Sequence, residues 1–223
     1  MRFLALAVLV WAMGAMGQVT LSTPPAPADV LVFLQTMEIS PQMKAALGPV
    51  LSAGLAARRA SSQFALPFLR QLAALPASQA EEALKVVYQA LDRGFIVDPL
   101  MTDVLKVLQM GQPWEAVMTN LRVRYNLLVA SQQVLVQNGV IGIGPQAPGG
   151  ELLPQDWFVL ETAWAVADWV LGQPREPLDA YVRGRFVNLK MVPSRLDAQM
   201  IEPFLAMLTP EVLQQIASRA FGQ

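Results

Sequence analysis

The sequence predicts an all-α fold of stacked antiparallel helical hairpins, and three observations carry that expectation. Fifteen residues recur without a gap: Gly111 to Tyr125 reads GQPWEAVMTNLRVRY, and Gly172 to Phe186, 61 positions later, reads GQPREPLDAYVRGRF. Six positions are identical, and Val117/Leu178, Leu121/Val182 and Tyr125/Phe186 are apolar in both copies. Recurrence on this scale marks an architecture of repeated supersecondary units. Second, Pro41, Pro76, Pro113, Pro174 and Pro210 open or closely precede apolar-periodic runs, at separations of 35, 37, 61 and 36. Third, apolar residues follow a helical rhythm in several runs. Leu84, Val87, Tyr88 and Leu91 form one such set, and Val117, Leu121, Tyr125, Leu128, Val129 and Leu135 a second. Leu196, Met200, Ile201, Phe204, Leu205 and Leu208 form a third. An α-solenoid-like array and an irregular helical bundle both satisfy these patterns.

Residues 1–17 read as a signal peptide. Arg2 supplies the positive start, Phe3 to Trp11 the apolar stretch, and Ala15-Met16-Gly17 a small-x-small cleavage site. The run is shorter than the roughly 20 residues needed to cross a bilayer. The alternative is an N-terminal anchor that is kept. A mature chain starting near Gln18 places the protein in the periplasm or outside the cell. Residues 18–28 (QVTLSTPPAPA) lack periodicity and read as a Pro-rich tether.

Helical hairpins are then expected over 29–138 and 155–223, joined by the Gly/Pro-rich linker or loop 139–154 (GVIGIGPQAPGGELLP). Ser40-Pro41 and Asp98-Pro99 place a side-chain acceptor at the N-cap and proline at N1. Ser78 to Glu81 matches a capping box, and Ser194 to Asp197 a weaker Asp version. In both GQP copies the glycine should end one helix and the proline open the next at N1, with Glu115 or Glu176 at N3 facing free backbone N–H groups. Pro203 should kink or divide the run 194–208. Two segments have strand character: Val30 to Leu34, and the stretch around Asn138-Gly139. The periodicity before Asn138 favours a helix C-cap there instead.

Composition excludes several chemistries. The chain has no His and no Cys. Ser-His-Asp and Cys-His nucleophilic sites, zinc sites built on those ligands, His-ligated haem and disulfides are therefore unavailable. No metal or cofactor is implied, and no acidic run matches a calcium loop. Gly142-Ile143-Gly144 lacks the third glycine and the Lys-Ser/Thr pair of a phosphate loop. Without Arg2 the balance is 15 basic against 17 acidic residues, which gives no pull toward nucleic acid. After the first seventeen residues, charge or proline interrupts every apolar run before it reaches spanning length.

Two constellations remain. Trp157, Glu161, Trp164 and Asp168 fall at i, i+4, i+7 and i+11, which aligns two indoles and two carboxylates on one helical stripe. Paired carboxylates beside aromatic platforms suit glycoside hydrolysis, with Glu161 and Asp168 as the candidate catalytic pair. Ordinary packing, with those acids at the polar margin of a buried helix, is the simpler reading. Arg122, Arg124 and, at equivalent repeat positions, Arg183 and Arg185 offer a ladder of guanidinium groups for carboxylate or phosphate. Helix-end charge complementation accounts for them more simply. Arg58-Arg59 reads as a solvated pair on a helix. Eleven Met residues suit either core filling or an adaptable apolar groove. The function expected is that of a non-enzymatic, exported scaffold of the cell envelope binding a protein or peptide. An apolar ligand such as lipid is the alternative, and a carboxylate enzyme acting on envelope polysaccharide the third.

Overall fold

The computed structural model describes residues 24–191 and 198–222. Among them are ten α-helices and no strand: α1 (Pro27–Thr36), α2 (Pro41–Ala56), α3 (Ser62–Ala73), α4 (Ala77–Asp92), α5 (Asp98–Gln109), α6 (Trp114–Gln137), α7 (Pro154–Gly172), α8 (Leu178–Met191), α9 (Ala198–Met207) and α10 (Pro210–Phe221). The sequence-predicted signal peptide and the Ser194–Asp197 cap lie outside the described residues. No helix among the described residues is long and apolar enough to cross a membrane.

Packing follows two interleaved series. α1 packs on α3 and α3 on α5, while α2 packs on α4 and α4 on α6. α6, the longest helix, is the hub where the chain's two parts meet: α5, α7 and α10 all lie against it. Its buried stripe runs Val117, Leu121, Leu128 and Leu135, so four of the six apolar positions in the sequence pattern form the core face. Tyr125 and Val129 pack beside it, half-buried. Beyond α7, the rings of Phe158, Phe186 and Phe204 stack with centroids 5.2 and 5.1 Å apart, joining α7, α8 and α9. Each such aromatic pair contributes about 1 kcal/mol beyond its buried area.

Several local expectations are corrected. Val30 to Leu34 is helical, with Val30 and Leu34 fully buried, because their i, i+4 spacing puts both against α3 and its neighbours. α1 itself begins at Pro27. Ser40 does cap α2, its hydroxyl accepting the Met43 N–H at 3.3 Å. Glu81, however, reaches across to the Ser40 N–H instead of closing a box on its own helix, and Pro76 occupies the N-cap of α4. Asp98 is the first helical residue of α5, and its carboxylate accepts the Ser61 N–H at 2.7 Å, ahead of α3. Both acids thus satisfy the start of a neighbouring helix. Pro203 lies inside a single helix, α9, which it does not divide. Asn138 is the C-cap of α6 and Gly139 takes φ +68° after it.

The two GQP corners differ by one residue. In the first, Gly111 is left-handed at φ +68°, Pro113 is the N-cap of α6, and Glu115 falls at N2. In the second, Gly172 is still helical, Gln173 takes the left-handed turn at φ +44°, and α8 starts only at Leu178. Pro174 and Glu176 therefore lie in the connection, whose shape is held by the Trp169 indole N–H donating to the Glu176 carbonyl at 2.9 Å. Past the corners the copies agree, with Val117/Leu178 and Leu121/Val182 buried in each.

The stretch 139–153 is irregular but tied down. Val140 and Ile141 are buried, and the Gln146 carbonyl lies where a side chain at Gly94 would stand, 1.4 Å from an ideal Cβ. With φ +78°, Gly94 is the residue that lets this loop close over the end of α4.

Candidate functional site

The stripe on α7 meets both arginine motifs. Glu161 and Asp168, seven residues and two turns apart, both accept from Arg185 of α8: Nη1 donates to Asp168, and Nη2 lies 3.5 Å from Glu161 Oε2. From the opposite side Arg124 of α6 brings Nη1 to 4.0 Å from Asp168 Oδ1, while its Nε lies 2.5 Å from Asp103 Oδ2 on α5. The same Nε donates to Asn120 Oδ1, one turn back, at 3.1 Å. The Arg124 guanidinium also stands 5.2 Å from the centroid of the Trp164 ring, within cation–π reach. Asp103, Arg124, Asp168, Arg185 and Glu161 thus form one alternating chain of charge across four helices. The two arginines occupy equivalent repeat positions, and Asp168 sits between them. Lys106, exposed and 4.0 Å from Asp103, brings the count to three cations and three anions.

The network is half-buried, from Arg124 at 12% side-chain exposure to Asp168 at 34%. Burial pushes the Glu161 and Asp103 carboxyls above their ordinary range. Arg185 opposes the shift at Glu161, and Arg124 with Lys106 opposes it at Asp103, while the charge of Asp168 adds to both. Desolvation of the charged form therefore outweighs the attraction of the arginines.

This arrangement is poorly suited to glycoside hydrolysis. The two carboxyls of a glycosidase flank a sugar, one as acid and the other as base or nucleophile. Here one guanidinium stands between them and binds both. The gap beside Asp103, Asn120 and Arg124 is too small for a water molecule. What the cluster can do chemically is hold four helices in register and exchange a proton at its carboxyls.

The other sequence candidates lie apart from it. Arg122 pairs at the surface with Glu82 of α4, which also accepts the Trp114 indole N–H at 2.9 Å. Arg183 donates to the Leu208 carbonyl at 2.7 Å, just past α9, in keeping with helix-end complementation. Trp157 packs half-buried against the core. Asp103 was not singled out in the sequence, where only the Asp-x-x-Lys spacing with Lys106 marks it.

Arg59 requires the largest correction. It is not solvated and not on a helix: it follows the left-handed Arg58 (φ +60°) in the turn after α2 and is completely buried. Its guanidinium donates to the Gly94 carbonyl, to the Glu151 carbonyl at 3.1 Å and to Asp156 Oδ2 at 3.2 Å. Asp156 in turn accepts the Leu153 N–H at 2.8 Å, fixing the start of α7. Burial raises the Asp156 carboxyl, while the Leu153 N–H and Arg59 pull it down.

Surface concavities lie elsewhere among the described residues. An open groove of about 760 Å³ runs between α1 and α3, walled by Val32 and Phe33 on one side and Leu66 and Pro67 on the other, with Asp29 and Arg70 along it. A smaller one, about 370 Å³, lies between the second GQP corner and α10 beside Trp169 and Phe221. Among the described residues no group of His, Cys, Asp or Glu is arranged to hold a metal ion. No protein-family model, no curated protein and no solved structure matches this chain.

Proposed function

We propose that this protein is an exported, non-catalytic scaffold of the cell envelope, built of stacked helical hairpins, that binds a protein or peptide segment on its surface. The observation that carries the reading is the α1–α3 groove, an open concavity with apolar walls and one acid and one base beside them. Such a composition, an apolar centre with a few polar groups that fix orientation, is that of recognition surfaces. The carboxylates that are the candidates for catalysis, Glu161 and Asp168, are engaged by Arg185 and Arg124, which favours binding over turnover. The alternate packing of α1 on α3 on α5 and of α2 on α4 on α6 supports the stacked-hairpin plan, in which each hairpin covers its neighbour's apolar face. Export rests on the N-terminal sequence alone.

The test is peptide selection against the chain starting at Gln18, held at nanomolar concentration. Selected peptides should bind at least about tenfold more weakly to Val32→Glu, a loss of about 1.4 kcal/mol. The melting temperature of that variant should not change, because Val32 is 65% exposed. Glu161→Gln should bind them as the unaltered chain does. Peptides indifferent to Val32→Glu would remove the groove from the proposal.

A further inference from the structure

Resting on the reading of the α1–α3 groove as a docking surface, we infer that its occupant is a second copy of this chain, in a dimer with two-fold symmetry. A two-fold interface requires a patch that is complementary to itself, so each projecting or charged feature must find its counterpart within the same patch. The groove meets that requirement twice. Val32 projects at 65% exposure beside a hollow walled by Phe33, Leu66 and Pro67, so each copy carries both knob and hole. Asp29 stands in the first turn of α1 and Arg70 in the last turn of α3, and neither is ion-paired with a described side chain. The Asp29 carboxylate accepts the Ala26 N–H, and the Arg70 guanidinium lies 6.0 Å over the Phe33 ring. A two-fold axis through the groove sets each copy's Asp29 against the other copy's Arg70.

The outer side of α1 presents Val32 beside Asp29, Gln35 and Thr36, all exposed. Magnitude sets the strength of the association. α1 has 10 residues and α3 has 12. At 1.5 Å per residue they are roughly 15 and 18 Å long, and an interaxial distance of about 9 Å plus a helix radius of about 5 Å on each side gives a patch of roughly 300 Å² per copy. A standard stable interface buries about 800 Å² per partner. The dimer is therefore weak and forms only at high protein concentration.

Sedimentation velocity across protein concentrations, with a pair of charge variants, tests this. The unaltered chain should pass from monomer toward dimer as its concentration is raised from about 5 to about 500 μM. Arg70→Glu alone faces acid with acid at both contacts, and Asp29→Arg alone faces base with base, so each should stay monomeric over the range. Mixed in equal amounts they should form a one-to-one dimer, since both contacts then join opposite charges. Asp29 also caps α1, so thermal melting accompanies each variant. Should Asp29→Arg fail to fold, Val32→Glu carries the test and should abolish the dimer without altering the melt. A chain monomeric throughout the range overturns the inference, as does a Val32→Glu variant that dimerises normally or a mixture of folded charge variants that stays monomeric. Peptide binding retained by a strictly monomeric chain would sink the dimer and leave the scaffold standing, so the two failures are distinguishable.

Discussion

At the scale of single residues, Arg59 ties together three parts of the chain that are far apart in sequence: the end of α4, the loop before α7 and the first turn of α7. Removing one partner of a buried pair leaves an uncompensated charge, which costs more than the pair itself contributes. Arg59→Ala should therefore lower unfolding stability by about 3–5 kcal/mol in urea titration. Arg59→Met combined with Asp156→Leu should recover most of that loss, because neither charge is then stranded. Equal losses in the single and double variants would show that the position matters for shape and not for charge. Gly94 is a second such residue. An added methyl group meets both an unfavourable φ of +78° and the Gln146 carbonyl, so Gly94→Ala should cost more than the roughly 1–2 kcal/mol of a left-handed position alone. Neither role is written in local sequence. Arg59 stands between Arg58 and Ala60, a setting that reads as solvated, and its partner lies 97 positions away. Glu161, Asp168, Arg124 and Arg185 were legible because helical spacing and the repeat place them on definite faces, whereas their mutual contact depended on how α6, α7 and α8 pack.

At the scale of elements, the repeated corner provides an internal comparison. The same Gly-Gln-Pro is read in two registers: Gly111 is left-handed, whereas Gly172 ends α7 and passes the left-handed position to Gln173. No atom beyond the local chain lies within 4 Å of a Cβ at either glycine, so backbone preference alone decides the outcome. Gly111→Ala should destabilise by about 1 kcal/mol, because alanine resists positive φ. Gly172→Ala should be neutral or stabilise by up to about 1 kcal/mol, since alanine is the better helix former. Paired denaturation curves check both signs, and a loss of similar size at both sites would mean the corners share one conformation. Helix positions and apolar faces followed from periodicity and proline placement. The cap assignments did not, because Glu81 and Asp98 found their N–H donors on other helices, and tertiary partners outcompeted the local boxes.

At the scale of the whole molecule, buried carboxyls should govern how stability depends on pH. Burial raises Asp103, Asp156 and Glu161 in the folded protein, while the unfolded chain returns them to the ordinary carboxylate range. Between the ordinary and the raised values the folded state holds protons that the unfolded state has released. Stability therefore increases as pH falls through that window, is complete below the unfolded values, and is lost as pH rises through the folded ones. Glu211, fully exposed at the start of α10 and held low by the Thr209 hydroxyl, runs in the opposite direction. Among the described residues the three raised groups outnumber it, so melting temperature should climb as pH falls through that window, the reverse of ordinary acid denaturation. Glu161→Gln removes one of these protons from the balance and should flatten the climb. Because Glu161 shares Arg185 with Asp168, the same change frees that guanidinium for Asp168 alone and should leave α8 seated. A melting temperature that falls steadily from pH 7 downward, in both the unaltered chain and Glu161→Gln, would mean that the arginines outweigh desolvation and that the network is built to keep its charges.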